Sequence, residues 1–180
     1  METDRDSESL DTYGVMAADM AITALIDDLA SPDGLVRQCA RESLVAVGEP
    51  AVPLLMDTLR DRRANVRWEA AKALAMIRDP RAASALVKAL EDRQAGVRWV
   101  ATEGLIALNR AALPPLMRAL MRHANSVWLR MGAHAVLRVL AKQGWEDEVT
   151  LVVAALDGAQ PALWVPTAAW GALNALAEAT

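Results

Sequence analysis

Apolar residues recur along this chain at helical rather than strand spacing. The stretches NVRWEAAKALAMI (65–77) and GVRWVATEGLIAL (96–108) show it most openly. Taking the Val of each Val-Arg as origin gives Val36, Val66 and Val97, spaced 30 and 31 apart. Small-residue and apolar spacing places two further origins at Trp128 and Val165. Offset +4 is then Ala40, Ala70, Ala101, Gly132 and Ala169. Offset +8 is Leu44, Leu74, Leu105, Val136 and Leu173, and +11 is Val47, Ile77, Leu108, Val139 and Leu176. On a 3.6-residue helix these offsets fall within about one 100° sector, so each copy presents one buried stripe. A second apolar segment precedes each stripe, at 16–30, 51–60, 80–91, 111–122 and 145–156. Pro53 and Pro80 stand near the starts of two of them, where a missing N–H costs nothing, and Gly48 closes a helix ahead of Pro50. The pattern predicts ten helices in five antiparallel pairs.

Composition agrees. Phe is absent and there is one Tyr in 180 residues, so the residues that favour strands are scarce. No apolar run approaches the roughly 20 residues that span a bilayer, and METDRDSESLDTYG does not read as a secretory signal. The single cysteine, Cys39, allows no intramolecular disulfide and suits a reducing cytoplasm. The formal charge of −4 is carried within residues 1–14, where Glu2, Asp4, Asp6, Glu8 and Asp11 outweigh Arg5. Residues 15–180 are therefore neutral and form one domain, with 1–14 expected as an acidic, solvated tail. A neutral body exerts no long-range pull on phosphate.

The segment DRRANVRWEAAKALAMIRDPRAASALVKALED resembles the HEAT repeat of the short bacterial kind also found in phycobilisome-lyase-like proteins. The pattern D-x4-V-R-x2-A-x3-L with a later Asp-Pro is carried by Asp61, Val66, Arg67, Ala70, Leu74, Asp79 and Pro80. Asp92, Val97, Arg98, Ala101 and Leu105 carry it again. The first copy has Ser31 in place of the Asp. In the last two, His123 stands for the Asp, and Leu129 and Pro166 stand for the Arg. The resemblance implies an all-α, right-handed α-solenoid of about five helical hairpins. It also implies a structural ladder in which Arg37, Arg67 and Arg98 bond with Asp61 and Asp92. The last two copies lack the pair, and residues around AKQGWED (141–147) lengthen one connection, so the C-terminal end should be less regular.

By the same resemblance, the second helix of each pair lines the concave face. Offsets +2, +6 and +9 point away from the buried stripe, at about 180–240°. They give a candidate binding surface of Trp68, Trp99, Lys72, Glu103, Ile106, Arg130, His134 and Leu137. Trp68 and Trp99 either form a platform for a partner or cover the groove between repeats. Aromatic residues and Arg with flanking charge are what protein-binding hot spots use. Trp128 sits at a core offset and reads as packing, as do Trp145 and Trp164. Trp170 either caps the end of the solenoid or marks a self-association patch.

No catalytic set stands out. His123 and His134 have no companion ligands in sequence for a metal, no phosphate-binding loop occurs, and Cys39 at +3 faces a neighbouring helix. No cofactor is expected. The reading is a non-catalytic protein-binding scaffold. The alternatives are a nucleic-acid binder like the HEAT-like alkylpurine DNA glycosylases, whose concave tryptophans stack on bases, and a bilin lyase or chaperone-like subunit.

Overall fold

The computed structural model describes residues 19–178, and the tail expected over 1–14 lies outside them. Ten helices and no strand occur among the described residues. α1 is described over 19–28. Then follow α2 (Gly34–Val47), α3 (Val52–Thr58), α4 (Ala64–Ile77), α5 (Ala83–Ala89) and α6 (Ala95–Leu108). The remaining four are α7 (Leu113–His123), α8 (Val127–Leu140), α9 (Glu146–Asp157) and α10 (Pro161–Glu178). They form five hairpins of an α-solenoid, as the periodicity predicts. No helix among the described residues is long and apolar enough to cross a membrane.

The even-numbered helices α2, α4, α6 and α8 pack side by side in one row, and α5 and α7 neighbour each other in the opposite row. The small residues at +4 make the close approach possible: Ala40, Ala70, Ala101 and Ala169 are all buried. Leucines fill the space between, with Leu44, Leu74 and Leu105 fully buried. Val36 faces the open end of the array and is 38% exposed, whereas Val66 and Val97 are covered on both sides.

In the fourth hairpin the register differs from the expected one by a single residue. The buried positions of α8 are Leu129, Ala133, Val136, Leu137 and Leu140. They match offsets 0, +4, +7, +8 and +11 when the origin is Leu129 rather than Trp128. Trp128 is accordingly 42% exposed and is not a core residue. Leu137, expected on the binding face, is fully buried instead. The residue in the ladder-Asp position becomes Ala124 rather than His123, and Arg130 becomes the ladder arginine.

The last hairpin departs further. In each of the first three junctions the residue at +12 adopts positive φ and ends the second helix: Gly48 (φ 74°), Arg78 (φ 60°) and Asn109 (φ 52°). The next first helix then begins with a 3-10 turn. At the fourth junction Ala141 stays helical (φ −53°), and the chain runs on through a π-turn, Ala141–Trp145. Positive φ comes three residues late, at Gly144 (φ 103°), which as glycine adopts it without side-chain strain. The three added residues change the direction in which the chain leaves α8. α9 therefore lies against α8, and α10 returns to pack along α7 and α9. The expectation that the second helix of every pair joins the second-helix row fails here. In the fifth hairpin the two helices exchange rows.

Candidate binding surface

The ladder is built from each arginine reaching back to the turn before its own helix. Arg37 Nη1 donates to Ser31 O (2.8 Å), Arg67 Nη1 to Asp61 O (2.8 Å), Arg98 Nη1 to Asp92 O (2.7 Å) and Arg130 Nη1 to Ala124 O (2.5 Å). The i−6 spacing is the same in all four, which confirms the corrected register of α8. The carboxylates do not form the regular ladder expected. Only Arg67 makes the complete rung, a two-point bond to Asp92 of the next repeat (2.6 and 2.8 Å). Arg37 reaches Glu69 (3.4 Å) instead, and Arg41 shares that buried carboxylate. Asp61 pairs with Arg63 beside it (2.9 Å) and not with a ladder arginine.

The charges respond accordingly. The Arg63 side chain is the main cause that holds the Asp61 carboxyl down at about 2, against the desolvation that opposes it. Burial pushes Asp92 up, but the Arg67 guanidinium and the Gln94 amide outweigh it and leave the carboxyl below its ordinary value.

A second series of contacts runs beside the ladder on the second-helix row. Arg41 of α2 lies 5.9 Å from the Trp68 ring of α4, and Lys72 of α4 lies 5.8 Å from the Trp99 ring of α6. Arg98 of α6 lies 4.6 Å from the Trp128 ring of α8. Each cation covers the indole of the next repeat, and such contacts contribute about 0.5–1 kcal/mol at exposed sites. Arg98 has no carboxylate to meet in the fourth repeat, where Ala124 replaces the Asp. Trp128 takes that place, which explains why a tryptophan stands there half-exposed.

The two opening tryptophans are not equivalent. Trp68 is half-buried, packed on the core and seated against Gly96. Trp99 is 57% exposed. With the corrected register the +2 row reads Gln38, Trp68, Trp99 and Met131, and Met131 is 66% exposed. Trp99, Trp128 and Met131 thus form an apolar strip across α6 and α8, which the expected register had hidden.

Lys72, Glu103 and Ile106 come together, as their helical offsets predict, in an open groove of about 550 Å³ between α4 and α6. Lys72 Nζ stands 3.6 Å from Glu103. Arg78, Met76 and Gln143 complete the walls, and none of the three was a sequence candidate. Gln143 arrives from the π-turn, whose Trp145 donates its indole N–H to Asn109 Oδ1. Arg110 lies over that indole ring, 5.7 Å from its centre. Arg130 and His134 stand apart from this groove. Arg130 serves the ladder, and His134 Nε2 lies 2.8 Å from Asp157 Oδ1 on α9 without hydrogen-bonding geometry.

Among the described residues no three His, Cys, Asp or Glu side chains gather into a metal-binding group. The surface offers apolar area, fixed charge and amide groups, the means of recognition by contact. Residues 22–106 match the family model for HEAT repeats, a stretch from within α1 to near the end of α6. The hairpin pattern continues beyond that stretch into α7 and α8. The comparison with curated proteins gave no match.

Proposed function

We propose that the second-helix row is a protein-binding surface and that the chain is a non-catalytic scaffold. HEAT repeats commonly mediate protein–protein interaction. The observation that carries the reading for this chain is the strip Trp99–Trp128–Met131, exposed across neighbouring repeats and continuous with a charged groove floored by Lys72, Glu103 and Ile106. An isolated exposed apolar residue needs no explanation, whereas several on adjacent helices mark an interaction site. Trp68 stays out of the strip, half-buried against the core and Gly96. The finer features belong to the same proposal: a repeat of the phycobilisome-lyase-like bacterial kind, a cytoplasmic setting, and self-association through α10, where Trp164 and Trp170 stand 61% and 57% exposed.

The alternation of cation and indole gives the nucleic-acid alternative one specific support, because bases stack on exposed indoles. Salt separates the two. Peptides selected from a random library on the native chain should bind it, and should lose about tenfold in affinity (about 1.4 kcal/mol) to a Trp99→Ser/Met131→Ser variant. Equal affinity for both proteins would place the surface elsewhere. Stronger binding of single-stranded DNA than of any peptide, falling steeply with salt, would replace the protein reading by the nucleic-acid one.

A further inference from the structure

The first-helix row carries a feature unrelated to the proposed binding strip. Between α5 and α7 runs a groove of about 200 Å³ whose rim holds Lys88, Arg118, Arg122 and His123 against a single acid, Glu91. Lys88, Arg118 and Arg122 are exposed, and none has a carboxylate within ion-pair distance among the described residues. Elsewhere the arginines are mostly engaged, in the ladder, in the Asp61 and Asp79 pairs or over indoles. Lys88 also borders the adjoining groove toward α3, where Asp57 and Asp92 balance it and Arg60, so the basic excess belongs to the groove between α5 and α7.

We propose that this groove is the docking surface for the acidic segment 1–14 of the same chain. The argument is charge complementarity. The described body is close to neutral while the segment has a net charge of −4, concentrated in Glu2, Asp4, Asp6, Glu8 and Asp11. Three exposed cations without an ion pair among the described residues, Lys88, Arg118 and Arg122, gather where only one acid, Glu91, answers them. Reach is sufficient: 14 residues extend to about 45 Å, while packed helices stand about 8–10 Å apart. The covalent link also supplies an effective concentration of order mM, which suffices for a contact too weak to hold between separate molecules. Docked there, the segment would neutralise the first-helix face and leave the second-helix strip open.

The test uses the full chain with a nitroxide on Ser9→Cys in a Cys39→Ser background, since Cys39 is exposed and would take the label too. The expected result is paramagnetic broadening of backbone amides around Lys88 and Arg118. It should disappear in about 1 M salt, where the screening length is about 3 Å, without any substitution in the groove. Lys88→Glu/Arg118→Glu/Arg122→Glu should abolish it, and the milder Arg118→Gln should weaken it while leaving the fold intact. Broadening centred on Trp99 and Met131, broadening insensitive to salt, or none on α5 and α7 would overturn the proposal. So would broadening of an unlabelled chain by a labelled one, which would make a second copy the occupant.

Discussion

Two junctions teach what sets direction in this solenoid. Between α4 and α5, Arg78 takes a left-handed conformation at +12 and its amide closes on Leu74 O (3.1 Å). The helix stops, a 3-10 turn follows, and the next first helix falls into its own row. Between α8 and α9 the equivalent residue, Ala141, does not stop the helix, and the later exit through Gly144 sends α9 to the second-helix row. The side chains buried by both regions are of the same kind. Direction is decided by one backbone torsion, and packing then accepts the result, because α10 buries Val165, Ala169, Ala172 and Leu176 as the solenoid stripe would.

The largest difference between the regions should appear on core truncation. Leu105 is fully buried with helices on both sides of its repeat. Leu105→Ala should cost about 2–5 kcal/mol and lower the urea midpoint of the whole array. Leu176, near the end of α10, sits where that helix packs on α7 and α9 with no further repeat beyond it among the described residues. Leu176→Ala should cost less, and hydrogen exchange should rise in α9 and α10 while α2 to α6 stay protected. Equal global losses would show that the exchanged hairpin is as strongly coupled as a regular one.

Next in size are the rungs. Removing Arg67 strands a mostly buried Asp92, so Arg67→Ala should cost about 2–3 kcal/mol by urea titration. Arg130 meets only a carbonyl, and Arg130→Ala should cost about 1 kcal/mol. The pH dependence follows the same division. Asp61 and Asp92 have carboxyls below their ordinary value in the folded chain, so they bind protons less readily there than in the unfolded chain. Their contribution is present above the unfolded value near 3.8 and is lost as pH falls through their lowered folded values, about 2 for Asp61. Acid titration below about 3.8 should therefore loosen hairpins two and three. In an Arg67→Ala chain the acid-dependent part should shrink, and an unchanged profile would count against the rung.

How much of this was legible beforehand follows from what periodicity records. Burial repeats every turn, so the helices, their pairing and the cores around Leu74 and Leu105 could be read. In the fourth repeat the apolar sequence SVWLRMGA offers two origins one residue apart, and spacing alone favoured Trp128. The better signal was Leu-Arg-x-x-Ala at 129–133, the same pattern as Val66–Ala70, which puts Arg130 on the ladder. That shift of about 100° moved Leu137 from surface to core and hid Met131. The exchange of α9 and α10 left only an absence to read, Ala141 where Gly48, Arg78 and Asn109 bend. Arg78 is no ordinary bend residue, so no residue-type rule would have aligned the three. Groove residues such as Gln143 come from that irregular turn and could not have been foreseen without it.

The exit itself can be tested at Gly144. Gly144→Ala places a Cβ at φ 103° and should cost about 1 kcal/mol or more. The loss should appear first around Trp145, whose indole bond to Asn109 holds the π-turn to the α6–α7 corner. Gly48→Ala in the regular part should cost a similar amount, but its effect should remain with α2 and α3. If Gly144→Ala proves neutral, the torsion does not determine the direction of α9.

The smallest expected effect concerns the contact between Arg98 and Trp128. Were Trp128 a core residue, its truncation would cost about 3–5 kcal/mol. It is 42% exposed and its main partner is the Arg98 guanidinium, so Trp128→Ala should cost only about 1 kcal/mol. Arg98→Ala should cost a similar amount, because the bond to Asp92 O is lost as well. A double-mutant cycle isolates the stacking energy, expected at about 0.5–1 kcal/mol. The same cycle on Arg67 and Asp92 should give a larger coupling, since both partners there are mostly buried and bonded at two points. Comparable couplings would mean that an indole substitutes fully for the aspartate. A coupling near zero for Arg98 and Trp128 would detach Trp128 from the ladder altogether, leaving its indole wholly to the exposed strip it shares with Trp99 and Met131.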